Sequence, residues 1–150
     1  MDVQQLFEQA PGEWAGTYQL WMKSTSTPDA ESATRASIAT EMRGHSLTLR
    51  YSWHFDEFEH LGIAVISRAA NGGIQMGWSD TFHATDGVMH NAAIGSQVKV
   101  LAHYGPAEEQ WGWRTEFEMP NADALEIRAF NIYPNGDEAL ATQAIYQRVS

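Results

Sequence analysis

The chain contains no cysteine. That absence excludes a disulfide framework, a thiolate nucleophile and any zinc or iron–sulfur centre built on sulfur ligands. No apolar run approaches the twenty or so residues that a membrane-spanning helix needs, and the opening Met1-Asp2-Val3-Gln4-Gln5 lacks the basic and apolar regions of a secretory leader. A cytoplasmic protein with no membrane partner is expected. Cations are scarce, with 9 Lys and Arg against 19 Asp and Glu and a formal net charge of −10. Scattered singly in an acidic chain, they offer no stripe for a phosphate backbone, so nucleic acid is not an expected partner. Long helical periodicity and internal repeats are missing too. So are Gly-x-Ser-x-Gly, His-Glu-x-x-His, a phosphate-cradling glycine loop and a dinucleotide fingerprint, which removes the commonest enzyme classes. No cofactor is expected.

What the chain has instead is alternation. Asp2 can cap a short helix, over about residues 2–9, in which Val3, Leu6 and Phe7 share one stripe before Pro11-Gly12 ends it. From there period-two patterning takes over, with Trp14, Gly16, Tyr18, Leu20 and Met22 on one face and Trp21 as an outward exception. Leu47, Leu49, Tyr51 and Trp53 make the clearest strand. Further strands are read at Ser32 to Met42, Phe58 to Arg68, Ile74 to Phe82, Val88 to Ile94, Gln97 to Tyr104, Trp111 to Met119, Leu125 to Tyr133 and Glu138 to Arg148. The pattern predicts a single all-β domain over 1–150: an antiparallel up-and-down barrel of about ten strands (about 13–148), its end plugged by the helix.

Two-residue turns would fix the registers. Asn135-Gly136 sets Leu125 against Tyr146, Ile127 against Ala144 and Asp123 against Arg148. Asn71-Gly72 sets Trp78 against Val65 and Asp80 against Ile63, placing Asp80 inside. Asp86-Gly87 sets His83 against His90.

Gly12-Glu13-Trp14-Ala15-Gly16 near the start and Tyr146-Gln147-Arg148 at the end together resemble the calycins, the lipocalin and fatty-acid-binding-protein group. In that group the arginine lies over the indole where the first and last strands meet, which implies a structural role for Trp14 and Arg148. Trp78-Ser79-Asp80-Thr81-Phe82-His83, followed by Gly87 and Met89, resembles the central motif of a bacterial calycin-like family of unknown function. That family supplies no catalytic residue.

Six tryptophans in 150 residues exceed what one core layer needs, so several line an interior. The leading expectation is a binding protein for a small hydrophobic or aromatic ligand. Trp53, Trp78, Trp111 and Trp113 would grip it, with Asp80, Tyr18, Tyr51 or Tyr133 orienting its polar end. Asp80 has a second reading as a buried acid satisfied by Arg43, Arg50, Arg114, a tyrosine hydroxyl or backbone amides, or as an acid sitting at a strand end in a turn.

Two other functions stay open. The first is an acid–base isomerase or lyase that uses Asp80 and a histidine on a hydrophobic substrate. The second is an interaction protein with a filled barrel and a homodimer contact through Trp21 or Phe130. His83 and His90 are candidates for zinc or haem, but two ligands fall short of a zinc site, and parity puts the pair outside the barrel.

Overall fold

The computed structural model describes residues 1–23 and 25–149. Helix α1 (Val3–Gln9) is fixed by a capping box: the Asp2 carboxylate accepts from the Gln5 amide at 2.8 Å, and the Gln5 side chain accepts from the Asp2 amide at 2.9 Å. Its stripe of Val3, Leu6 and Phe7 is buried against the barrel. Ten strands follow: β1 (Gly12–Leu20), β2 (Ala30–Glu41), β3 (Ser46–Phe55), β4 (Phe58–Arg68), β5 (Ile74–Asp80), β6 (Met89–Ala93), β7 (Lys99–Tyr104), β8 (Trp111–Asn121), β9 (Ala124–Ile132) and β10 (Glu138–Arg148). Each pairs antiparallel with the next, and β1 pairs with β10, so the sheet closes into a barrel. Closure removes both edges, each a template for aggregation. Among the described residues no helix is long and apolar enough to cross a membrane.

The closing seam is set by residues at both ends of the chain. Trp14 lies opposite Arg148, and Gly16 opposite Tyr146. The Arg148 guanidinium sits 4.3 Å from the centre of the Trp14 ring and donates to the carbonyls of Pro11 (2.9 Å), Ala122 (3.0 Å) and Gln9. One side chain thus ties α1, the turn between β8 and β9, and the two terminal strands. The Trp14 indole donates to Ala10 at 2.9 Å, which seats the helix at this end of the barrel.

Registers decide which side chains face inward. Between β9 and β10 Leu125 does face Tyr146 and Ile127 does face Ala144. The turn is nonetheless longer than two residues, with the Tyr133 amide donating to Asp137, and a bulge between Leu140 and Thr142 restores the expected pairing. Between β4 and β5 nothing compensates. Ala69 donates to Gly73 and Gly72 donates to Ala69, so the connection spans 69–73, and Trp78 falls opposite Ala64 and Asp80 opposite Gly62. Val65 and Ile63, expected inside, face solvent at 45% and 37% exposure. Strand β5 ends at Asp80, and His90 pairs with Gly77, so His83 and His90 are not cross-strand partners.

Trp21 is half-buried, and Phe130 lies under the Arg114 guanidinium at 4.8 Å.

A Cβ on Gly16 would lie 1.8 Å from the Ile145 carbonyl oxygen, so β1 and β10 approach more closely there than any side chain allows. Gly16→Ala should therefore cost about 1–3 kcal/mol or more, read as a lower urea midpoint. An unchanged midpoint would show that the seam does not depend on this approach.

Candidate functional site

The interior has two storeys. The lower is a cavity of about 50 Å³. Its wall interleaves large and small side chains on neighbouring strands, Trp78 beside Ala64, Tyr18 beside Ala144 and Thr115 beside Ala129, with Trp113, Phe117 and Thr142 also lining it. Trp78 and Trp113 stack with centroids 5.5 Å apart. The upper storey is an aromatic roof. Trp53 lies flat on Tyr18 at 4.3 Å and is met by Phe82 at 5.2 Å and by His83 at 5.9 Å.

Besides Trp53, the roof comes from the segment after β5: the Thr81 amide still donates to the Leu61 carbonyl at 2.9 Å, and the Asp80 carboxylate holds the turn beyond it. Asp80 Oδ1 accepts from the amides of Phe82 (2.6 Å) and His83 (2.9 Å), as aspartate does at the start of a turn. Its Oδ2 accepts from the Tyr51 hydroxyl at 2.6 Å, and Tyr51 in turn accepts from the Trp78 indole at 2.8 Å. Gly62 lies between Tyr51 and Asp80 in the register, and a Cβ there would sit 2.1 Å from the Tyr51 ring. The missing side chain is what lets Tyr51 lie across β4 and reach the carboxylate. Burial, reinforced by the Asp80 charge, pushes the Tyr51 hydroxyl well above the usual tyrosine range, so it remains a donor. Of the partners weighed for Asp80, the structure selects backbone amides and a tyrosine; none of the three arginines bonds to it.

Two buried nitrogens in the roof have no partner, Trp53 Nε1 and His83 Nδ1. The His83 nitrogen is 3.9 Å from Asp80 Oδ1, beyond hydrogen-bond reach. Burial pushes the imidazole down to about 4, against the opposing pull of Asp80 and with a smaller push from His60. His83 is therefore neutral near pH 7.

The expected site residues separate into groups. Trp78, Trp113, Tyr18 and Tyr51 line the cavity, and Asp80 and Trp53 build its roof. Trp111 and Tyr133 do not reach it. They pack against each other at 4.6 Å with their planes tilted by 51°, with Tyr104 alongside, at the barrel rim. Their parity is inward, but Trp111 begins β8 and Tyr133 follows the end of β9, so each stands above the enclosed volume. His83 corrects the parity argument in the other direction. Parity ends with the strand, and the turn at Asp80 swings the imidazole over Trp53 and Trp113. His90 stays exposed. Strands β6 and β7 share only the pairs Ala92–Leu101 and Ala93–Val100. Beside the roof lies a recess of about 360 Å³ lined by His83, Met89, His90 and His103. Among the described residues no three His, Cys, Asp or Glu side chains are grouped to hold a metal. Phe82 and His83 were not read as roof residues. Their signal is an aspartate at a strand end followed by a break in alternation.

No family model and no curated protein matches the chain. Solved structures do. A protein of unknown function from the DUF3598 family of Nostoc punctiforme superposes with a TM-score of 0.54 at 11% identity, over 95% of this chain and 49% of that one. The chain thus spans about half the length of that protein. An S-type phycobiliprotein lyase from Guillardia theta superposes with a TM-score of 0.53 at 11% identity, over 100% of this chain and 94% of that one. The fold is a calycin-like barrel. In this calycin-like barrel the Trp14–Arg148 pair expected from the sequence stands at the closing seam, and the Trp78-to-His83 motif is the cavity wall and its roof.

Two outcomes follow. Asp80→Ala removes the acceptor of both roof amides, so hydrogen exchange at Phe82 and His83 should accelerate while exchange in β9 and β10 holds; uniform acceleration would mean that Asp80 supports the whole barrel. The unfolded chain protonates an ordinary histidine near pH 6.5, whereas the folded one protonates His83 only near 4. Stability contributed by neutral His83 is full above pH 6.5 and is lost as the pH falls toward 4. His83→Phe should flatten that slope in urea midpoints measured across the window, and an equal slope in both proteins would contradict the burial of His83.

Proposed function

We propose that the barrel binds a small hydrophobic or aromatic molecule in the space beneath the roof. The observation that supports this most is the make-up of the cavity's lining: Trp78, Trp113, Tyr18 and Phe117 are interleaved with Ala64, Ala129, Ala144, Thr115 and Thr142, where a core built only to pack would set larger side chains. The cavity as it stands, about 50 Å³, has room for a few waters. A ring-sized ligand therefore enters as the 81–88 segment moves outward, past the recess where β6 and β7 diverge. Trp78 and Trp113 supply its flat contacts, and Trp53 Nε1 is the free donor on the roof. Asp80 holds the roof and does not touch the ligand, because both its oxygens are engaged by the protein. The likeness to a phycobiliprotein lyase is one of fold and brings no substrate with it.

The acid–base reading rests on the 3.9 Å approach of His83 to Asp80. It is the weaker one, since both Asp80 oxygens are already engaged by Tyr51 and the two roof amides, and the His83 nitrogen lies beyond hydrogen-bond reach.

The test combines native mass spectrometry of gently purified protein with a fluorescence titration using N-phenyl-1-naphthylamine, a neutral aromatic probe. Saturable one-to-one binding is expected, weakened about tenfold or more in Ala129→Leu, which fills the cavity floor. Binding unaffected by Ala129→Leu, or a bare mass together with no saturable titration, would overturn the reading.

A further inference from the structure

The outer wall carries charge unevenly. Over β7 to β10 the cations are paired: Lys99, Arg114 and Arg128 all reach Glu116, Arg114 also reaches Glu138, and Arg128 also reaches Glu118. Over β2 to β4 they are not. Arg35 and Arg50 are exposed and have no ion pair or hydrogen bond among the described residues. Arg35 pairs in register with Ser52, next to Leu61, and Arg50 pairs with Ile63. Beside them Leu61, Ile63 and Val65 alternate along β4 at 52%, 37% and 45% exposure. Between Glu41 at one end and Glu59 at the other, the outward positions of β3 and β4 carry no acid, in a chain of net charge −10. A groove lined by Arg50, Leu61, Ile63 and Ser79 runs along this face.

We infer that this face of the β3–β4 hairpin is a dimer interface, and that its occupant is the same hairpin face of a second copy. The complement is carried by the hairpin itself. Its tip, Asp56-Glu57, is exposed, and Glu59 faces outward just below it, near only the exposed His54 at 3.7 Å. Acid thus stands at the tip end, then Leu61, then Arg50 level with Ile63, with Val65 further along. Two such hairpins laid antiparallel across a twofold axis at Leu61 bring Glu59 of each copy to the row of Arg50 and Ile63 in the other and set the two Leu61 side chains together. Elsewhere two copies of an acidic chain repel, so this acid-free face is where approach costs least.

Sedimentation velocity on the full chain over roughly 1–500 μM tests it. A concentration-dependent dimer is expected, weakened about tenfold or more by Leu61→Ser and by Arg50→Glu, and weakened by about 0.5 M salt. Combining Arg50→Glu with Glu59→Arg should restore it, since the swap recreates the pair with its sign reversed. All three positions are on the surface, and an unchanged circular dichroism spectrum confirms folding. A monomer at every concentration would overturn the inference. So would a dimer indifferent to Leu61→Ser, or a charge swap that rescues nothing.

Discussion

Everything inside this protein depends on the pairing of its first strand with its last. That pairing lets a chain of short strands enclose a volume, and it is held where a side chain is absent and where one is unusually busy. Gly16 brings β1 against the backbone of β10, and Arg148 gathers carbonyls from α1, from the residue before β1 and from the turn after β8 while covering Trp14. The guanidinium suits this task because its planar fork serves several acceptors at once while its face stacks on an indole, which an ammonium cannot do. Once the seam is closed, parity along every strand becomes a statement about inside and outside.

Enclosure then sets the terms for polar groups. A carboxylate in such an interior must be fully bonded, and Asp80 is, through the amides of the turn it begins and the hydroxyl of Tyr51. Gly62 makes the last of these bonds geometrically available. The same burial keeps Tyr51 protonated and His83 neutral, so the roof is polar in its bonding but adds no second charge. Tyr146, bonded to Thr34 at 3.0 Å, is likewise pushed up to about 12 by burial.

The barrel, its strand count and its helical plug were legible because alternation and capping are local signals that closure does not override. Trp78, Trp113, Tyr18 and Tyr51 were legible as cavity residues for the same reason. Register was legible only where errors cancelled: at β9–β10 the bulge after Leu140 undid the effect of a longer turn, while at β4–β5 the 69–73 connection shifted the pairing by one residue. Parity says which way a residue points and not how high it stands. Trp111 and Tyr133 point inward from the rim and miss the cavity. His83 escaped because it lies past the end of its strand, where the hydrogen bonds of Asp80 decide direction.

The way the roof is attached bears on how the barrel could open. Strand β5 stops at Asp80, and β6 is the shortest strand, with three registered pairs to β5 and two to β7. Lifting residues 81–88 therefore breaks none of those ladder pairs. It breaks the bonds to Asp80, those of Thr81 to Leu61 and His60, those of Ala84 to Asp80 and Ser79, and several aromatic contacts, and water or a ligand can replace the polar share of that loss. Trp53 Nε1 and His83 Nδ1 already lack partners in the closed state, so that state forgoes hydrogen bonds that an occupied one could make. A wall fixed by closure and a roof held by a short turn about Asp80 thus separate the stability of the barrel from access to its interior.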